Sequence, residues 1–417
     1  MDKFIIEGKG RLAGEVEISG SKNATLPIMA AMILTSGKNK ISGVPQVRDV
    51  TTMLYLLNDL GGCTEEFNDG CIVFDSAGIN NYEAPYELVS KMRASCLVLG
   101  PLLARLGKAK VSLPGGCAIG ARPLDLHIRG LEEMGAKIRL EQGYIYGEVK
   151  RLLGVRYYFD TVSVTGTANL MMAATLADGE TVLENVAKEP EVVFLANVLN
   201  QCGAKIKGHG TDLLTIQGVQ SLKPINCDIL PDRIETGTYM IASAITRGDV
   251  KIVNCIPQQV EALTMKLRQA GLVVEENETS LRVVGDGQLN GVNIKTQPHP
   301  GFATDLQAQF MALMALAQGQ SIIIETVFEN RFMHAAELKR MGADVTIQGQ
   351  TAVVNGVKEL SGAPLMATDL RASASLVLAA LAAKGKSVIS RIYHIDRGYS
   401  GIEKKLCNLG AKIHREK

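Results

Sequence analysis

Leu131-Glu132-Glu133-Met134-Gly135-Ala136 is an amphipathic run that stops on a glycine, and Lys137-Ile138-Arg139-Leu140 follows it with apolar and charged residues in alternation. A glycine after a helical run closes the helix because it takes a left-handed backbone without steric cost, and alternation of period two marks a strand with one buried face. The phrase predicts a helix, a glycine stop and a strand. The same Leu, three residues and Gly recur at Leu57 to Gly61, Leu199 to Gly203, Leu267 to Gly271, Leu338 to Gly342 and Leu406 to Gly410, usually with Ala next. Successive glycines lie 74, 68, 68, 71 and 68 residues apart, so the chain reads as six copies of one unit.

Upstream in each unit lies a second, almost wholly apolar run: Ala24 to Leu34, Cys96 to Leu106, Leu170 to Leu176, Tyr239 to Ile245, Phe310 to Ala317 and Leu376 to Ala383. A helix apolar on all sides belongs in the middle of a domain. The expected class is α/β with an inside-out arrangement, strands outside and these helices within. Six units of this size exceed one core, which predicts two lobes of three units with a ligand cleft between them. The expected crossover is near Pro224 to Pro231, where the pattern is interrupted.

The 417 residues are 46% apolar and 21% charged with a formal charge of +1, an ordinary soluble composition with no global pull toward nucleic acid or membrane. Basic residues are dispersed among acids and only 5% of the chain is aromatic, which disfavours nucleic-acid binding. The start lacks the pattern of a signal peptide, and the apolar runs fall short of the ~20 residues that span a bilayer. A cytoplasmic protein is expected. Eight cysteines are scattered with no CxxC pair, which fits neither a zinc site nor a disulfide frame and suggests that most are small core residues.

Chemistry concentrates in Ser112 to His127, where three glycines and two prolines leave little chance of regular structure around Cys117, Arg122, Asp125 and His127. That stretch reads as a lid carrying a thiol. The segments leading into the buried helices hold cations, Lys22, Arg93 and Arg371, where a helix dipole disfavours them by a few tenths of a kcal/mol. Such a set points to helix N-termini that converge on a ligand rich in phosphate or carboxylate. Arg331 and Arg397 are further cations, each beside an acid that could pair with it.

Gly20-Ser21-Lys22-Asn23-Ala24, Met92-Arg93-Ala94-Ser95, Leu113 to Pro123, Pro231 to Gly237, Glu329 to His334, Asp369 to Ser373 and Asp396 to Tyr399 together resemble the enolpyruvyl transferases that act on UDP-N-acetylglucosamine, over essentially the whole length. The resemblance implies a two-domain inside-out α/β barrel with three repeats per domain, residues 22–229 forming the first and 1–21 with 230–417 the second. It implies transfer of the enolpyruvyl group of phosphoenolpyruvate to the 3′-hydroxyl of UDP-N-acetylglucosamine through a tetrahedral ketal, in the first committed step of peptidoglycan synthesis, with no metal or organic cofactor. Such chemistry needs an acid for the methylene carbon, a base for the hydroxyl, and cations for phosphate and carboxylate.

By the same resemblance Cys117 is the lid acid, the site of a phosphoenolpyruvate adduct and the target of fosfomycin, and Asp305 is the base. Lys22, Arg93, Arg122, Arg371 and Arg397 hold the anionic groups, and Asn23 orients the intermediate. The nucleotide sugar falls to Arg122, Pro123, Leu124, Asp125 and His127 on the lid, with Ser163, Val164 and Val327. Asp49, Glu189 and Glu191 are expected as lid or inter-lobe supports. One departure is Thr161, which stands where many members carry a Lys before the Val162-Ser163-Val164 run, so one diphosphate contact is in question.

Three rival readings predict different residues. The shikimate-pathway relative lacks the Pro-Gly-Gly-Cys lid. A non-catalytic nucleotide-sugar-binding regulator predicts the loss of Cys117, Asp305 or Lys22, all of which are present. A cysteine hydrolase pairing Cys117 with His127 leaves the cationic cluster unexplained.

Overall fold

A computed structural model describes residues 2–113 and 124–417 of the chain. Cys117, Arg122 and Pro123 lie outside the described residues. Each of the six units supplies an inner and an outer helix. In chain order these are α1 (Lys22–Ala31), α2 (Arg48–Asp59), α3 (Leu99–Leu106), α4 (Asp125–Glu133), α5 (Val164–Ala174), α6 (Pro190–Gln201), α7 (Arg233–Ile245), α8 (Glu261–Gln269), α9 (Gln307–Met314), α10 (His334–Arg340), α11 (Ala372–Ala382) and α12 (Ile402–Asn408).

The even-numbered helices end at the glycine stops. Gly61, Gly135, Gly203, Gly271, Gly342 and Gly410 all have φ between 92° and 105°, the backbone that reverses the chain into the following strand. The odd-numbered helices are the apolar ones; in α11 every residue from Ala372 to Leu381 is buried. Alanine and leucine favour helix, and the small side chains let neighbouring helices approach closely. Two inner helices begin well before their apolar runs: α5 starts at Val164 and α7 at Arg233, six residues ahead of Leu170 and Tyr239. In α7 the polar first turn is absorbed internally, since Thr236 and Thr238 donate their hydroxyls to the carbonyls of Asp232 and Ile234 at 3.0 and 2.7 Å.

Six four-stranded sheets share one order among the described residues, a parallel pair followed by two antiparallel pairings. Lys38–Ser42, for example, lies parallel to Asn226–Asp228 and antiparallel to Cys71–Asp75, which pairs with Cys63–Asn68. The chain divides into two compact units that change over at 19/20 and 230/231. Each has three sheets and its own apolar core, one drawn from Ala24 to Ile229 and the other from Phe4 to Ile18 with Ile234 to Ile413. In the second unit α7, α9 and α11 pack mutually. The N-terminus is integral there: Lys3–Glu7 lies between Lys386–Ser390 and Lys412–Glu416, pairing with both.

The stretch from Ser112 to His127, expected to be irregular, has regular ends, and residues 114–123 between them lie outside the described residues. Ser112 ends the strand Lys108–Ser112, and Asp125 and His127 belong to α4, so they are helical and not loop residues. Asp125 sits in the first turn, where a carboxylate favours the helix, and Leu131 anchors the buried face.

Candidate active site

The candidate residues fall into two groups, one in each unit. In the unit that includes 231–417, the N-termini of all three inner helices meet at one buried guanidinium. Arg371, the residue before α11, is 1% exposed. Its Nη2 lies 3.5 Å from Asp232 Oδ2, at the cap of α7, and its Nε lies 3.5 Å from Asp305 Oδ2, in the helical turn Thr304–Leu306 that leads into α9. Burial works against the charge, but Asp232, Tyr399 and Asp305 outweigh it and raise the Arg371 pKa. Neither nitrogen has a hydrogen-bond acceptor at proper geometry among the described residues. A buried guanidinium with donors unfilled is rare in folded proteins, and an arriving anion would fill them.

Asp305 is gripped from the other side by Arg331, whose Nη2 donates to Oδ1 at 2.6 Å. The carboxylate therefore has a guanidinium facing each oxygen, yet a quarter of its side chain remains exposed. Beneath it, Gln309 Nε2 donates to the Asp305 carbonyl at 3.0 Å and to the Tyr399 hydroxyl at 3.2 Å, and the Arg371 guanidinium lies 5.1 Å from the Tyr399 ring centre. Arg397 ends the turn Ile392–Arg397 and is half-buried. Its neighbour Asp396 is engaged by Arg415 at 2.6 Å. Val327 is partly exposed beside a buried carboxylate, Glu325, which accepts its backbone N–H at 2.8 Å.

In the unit 20–230, Lys22 opens α1 and is buried, with Nζ 3.2 Å from Asp49 in the first turn of α2. That pairing answers how an ammonium survives at a helix N-terminus: a carboxylate from another helix N-terminus, where it is favoured, offsets it. Asn23 and Arg93 are half-buried. Ser163 caps α5 by accepting from Gly166 N at 3.1 Å, and Val164 is exposed beside it. Glu189 and Glu191, at the start of α6, are buried rather than solvated. Leu124 precedes α4 and is buried, with Asp125 next to it.

His127 is buried and fully engaged. Asn169 Nδ2 donates to its Nδ1 at 2.9 Å, which leaves the ring proton on Nε2 facing Thr165 Oγ1 at 3.2 Å. The amide orientation is fixed because Asn169 Nδ2 also donates to the Cys96 carbonyl and its Oδ1 accepts from Gly100 N. Burial first and the Arg93 charge second push the His127 pKa down to about 4, so the ring is neutral at neutral pH. In this conformation the ring ties α4 to α5, a buried structural link that its polar side chain alone does not announce.

Sequence reasoning missed Thr304, Glu325, Asn169, Asp232 and Tyr399. The pairings Lys22–Asp49 and Arg331–Asp305 span 27 and 26 residues and join separate elements, so no local spacing reveals them. Glu325 had a signal: a lone carboxylate directly after Ile322-Ile323-Ile324.

Comparison with known proteins follows the same lines. The profile of the family described as EPSP synthase (3-phosphoshikimate 1-carboxyvinyltransferase) matches residues 6–406. The chain is 57% identical over 415 residues to a UDP-N-acetylglucosamine 1-carboxyvinyltransferase of Geotalea uraniireducens, covering 100% of this chain and 99% of the relative. It is 56% identical over 418 residues to the protein of that name from Thermodesulfovibrio yellowstonii, with both chains fully covered. Among solved structures, the enolpyruvyl transferase NikO of Streptomyces tendae superposes with a TM-score of 0.89 at 24% identity over 99% of this chain and 98% of that one. EPSP synthase from Acinetobacter baumannii superposes at 0.79 and 19% identity over the full length of both, so the inside-out α/β fold is shared across the group. With the profile matching nearly end to end and relatives above half identity over the whole length, the chain belongs to the EPSP synthase family of carboxyvinyl transferases.

Proposed function

We propose that this protein transfers the enolpyruvyl group of phosphoenolpyruvate to the 3′-hydroxyl of UDP-N-acetylglucosamine and releases phosphate, the first committed step of peptidoglycan synthesis. The observation that carries the reading is full-length identity of 55–57% to chains named UDP-N-acetylglucosamine 1-carboxyvinyltransferase. The geometry of Asp305 supports it: a partly exposed carboxylate set between two guanidiniums is a proton acceptor next to an anion site. The regulatory alternative finds no support in these relatives.

In this reading Asp305 takes the proton of the acceptor hydroxyl as its oxygen adds to C2 of phosphoenolpyruvate, while Cys117 gives a proton to the methylene carbon. The C2–O bond to phosphate then breaks, the methyl carbon returns a proton, and the enol ether and inorganic phosphate remain. Lys22, Arg93, Arg122, Arg371 and Arg397 hold the phosphate and carboxylate charge, and the unfilled donors of Arg371 support its place in that set. Asn23 orients the intermediate. Arg122, Pro123, Leu124, Asp125, Ser163, Val164 and Val327 take the nucleotide sugar. His127, engaged on both nitrogens, supports that surface from beneath. Proton transfers and phosphate departure account for the whole reaction, so it calls on no metal or organic cofactor, and a thiol adduct at Cys117 with phosphoenolpyruvate or fosfomycin is part of the proposal.

The test is phosphate release from phosphoenolpyruvate with and without UDP-N-acetylglucosamine, in the intact protein and in Cys117→Ala. Acceptor-dependent release that collapses in the variant is expected. Binding of the nucleotide sugar with no release from the intact protein would leave the regulatory reading standing instead.

A further inference from the structure

Glu325 is fully buried, and no salt bridge to it is present among the described residues. A buried carboxylate is costly unless hydrogen bonds satisfy it. Its two oxygens are satisfied in different ways. Oε1 accepts from Thr296 Oγ1 at 2.8 Å, Val327 N at 2.8 Å and Phe328 N at 3.2 Å, and these bonds tie down the turn after the strand Gln320–Ile324. Among the described residues Oε2 has one partner, the Thr304 hydroxyl, at 2.8 Å.

That second bond has a direction. A carboxylate only accepts, so Thr304 must point its proton at Glu325, and its lone pairs are then turned toward Arg331, whose Nη1 donates to Thr304 Oγ1 at 2.9 Å. The other arm of the same planar fork, Nη2, donates to Asp305 Oδ1 at 2.6 Å. A guanidinium held at both tips cannot rotate without breaking one bond. We propose that Glu325 is a positioning residue for the transfer reaction, which through Thr304 and Arg331 fixes the orientation of the Asp305 carboxylate toward the acceptor hydroxyl. The inference rests on the reading of Asp305 as the base.

Glu325→Gln separates this role from the structural one. The amide oxygen can keep the three bonds of Oε1, while the amide nitrogen replaces Oε2 and turns an acceptor into a donor. Thr304 then has no acceptor for its proton, because Arg331 offers only donors. Thr304→Val removes the same link from the other end at nearly constant volume. Each variant is measured in the full chain for acceptor-dependent phosphate release across pH, with Asp305→Asn in parallel and thermal unfolding as the control for folding. Both relay variants should lose about tenfold in kcat, below the ~100-fold that a 1 Å misplacement can cause, with KM for phosphoenolpyruvate within about twofold. The double variant should be no worse than either single one. The acid limb of the kcat profile should move to higher pH, since a guanidinium released from its second anchor favours the ionised carboxylate less. A merely structural Glu325 would lower the unfolding temperature and leave that limb in place. If Asp305→Asn collapses the rate while both relay variants keep the parental rate and profile, the relay is wrong. An Asp305→Asn protein that turns over normally would instead remove the base assignment on which it rests.

Discussion

At the scale of single residues, burial sets what the titratable groups can do. His127 is held near a pKa of about 4 against an ordinary value of 6.5. As pH falls through 6.5 the unfolded chain takes up a proton that the folded ring refuses until about pH 4, so stability is lost across that window, by about 3 kcal/mol in all. His334, also buried and pushed down to about 4, acts in the same direction. The unfolding temperature should fall steeply from pH 6.5 to pH 4.5, and His127→Gln should flatten the slope; equal slopes in the two proteins would show that the ring is not the buried neutral group described. Thiols follow the same physics. Burial raises Cys202 and Cys255 to about 11 and Cys227 to about 12, so they stay protonated and inert at neutral pH, whereas Cys63 and Cys407 are exposed. Iodoacetamide at pH 7.5 followed by peptide mass mapping should therefore modify Cys63 and Cys407 and spare the other three. Of the seven described cysteines three are buried, two half-buried and two exposed; Cys63 begins an edge strand, and Cys407 lies in the last turn of α12, where its Sγ donates to the Ile413 carbonyl at 3.0 Å.

At the scale of elements, the glycine stops carry the repeat, and their surroundings rank what substitution costs. A Cβ on Gly342 meets nothing within 4 Å, so Gly342→Ala bears only the left-handed backbone penalty of roughly 1–2 kcal/mol. At Gly61 the added carbon would come within 2.7 Å of the Gly78 carbonyl oxygen, a backbone atom that cannot swing away. Gly61→Ala should lower the unfolding temperature clearly more than Gly342→Ala, and the reverse order would mean that the tight turn relaxes more easily than its geometry indicates. These stops were legible because a left-handed residue after a helix is a local demand written into local sequence. The inner helices were legible as apolar runs, but their first turns were not: Thr236 and Thr238 look like loop residues until their hydroxyls are seen bonded to the preceding turn. The same holds for Asp125 and His127, whose helix is hidden in sequence by the glycines and prolines just before it. The charged cluster was legible only as a collection of types. Lys22, Arg371 and Asp305 stand out as charges at helix starts, but that Asp49 pairs with Lys22 and that Thr304 and Glu325 stand behind Arg331 depends on which helix ends the fold brings together.

At the scale of the whole molecule, the order of strands in space separates the two units unequally. Residues 20–230 contain every strand of their three sheets, including the closing pair of Asn226–Asp228 with Lys38–Ser42, and a core of their own. Residues 231–417 do not. Their sheets lack Ala13–Glu17, which pairs with Asp249–Val253, and Lys3–Glu7, which stands in the middle between two strands that do not pair with each other. Phe4 and Ile6 of that strand are fully buried, and burial of each such side chain is worth about 1.5–3 kcal/mol, to which the ladder bonds on both edges add. The loss is comparable with the entire net stability of a domain. A fragment of residues 20–230 should therefore be soluble and melt cooperatively, and one of 231–417 should fail to fold. Ser19 and Asp232 are already adjacent, the Asp232 N–H donating to the Ser19 carbonyl at 2.9 Å, so a two-glycine linker from residue 19 to residue 231 restores the missing strands in place. That fusion should recover a cooperative transition by circular dichroism. If residues 231–417 alone melt as sharply and as high as the fusion, the N-terminal strand is an accessory to that core rather than part of it.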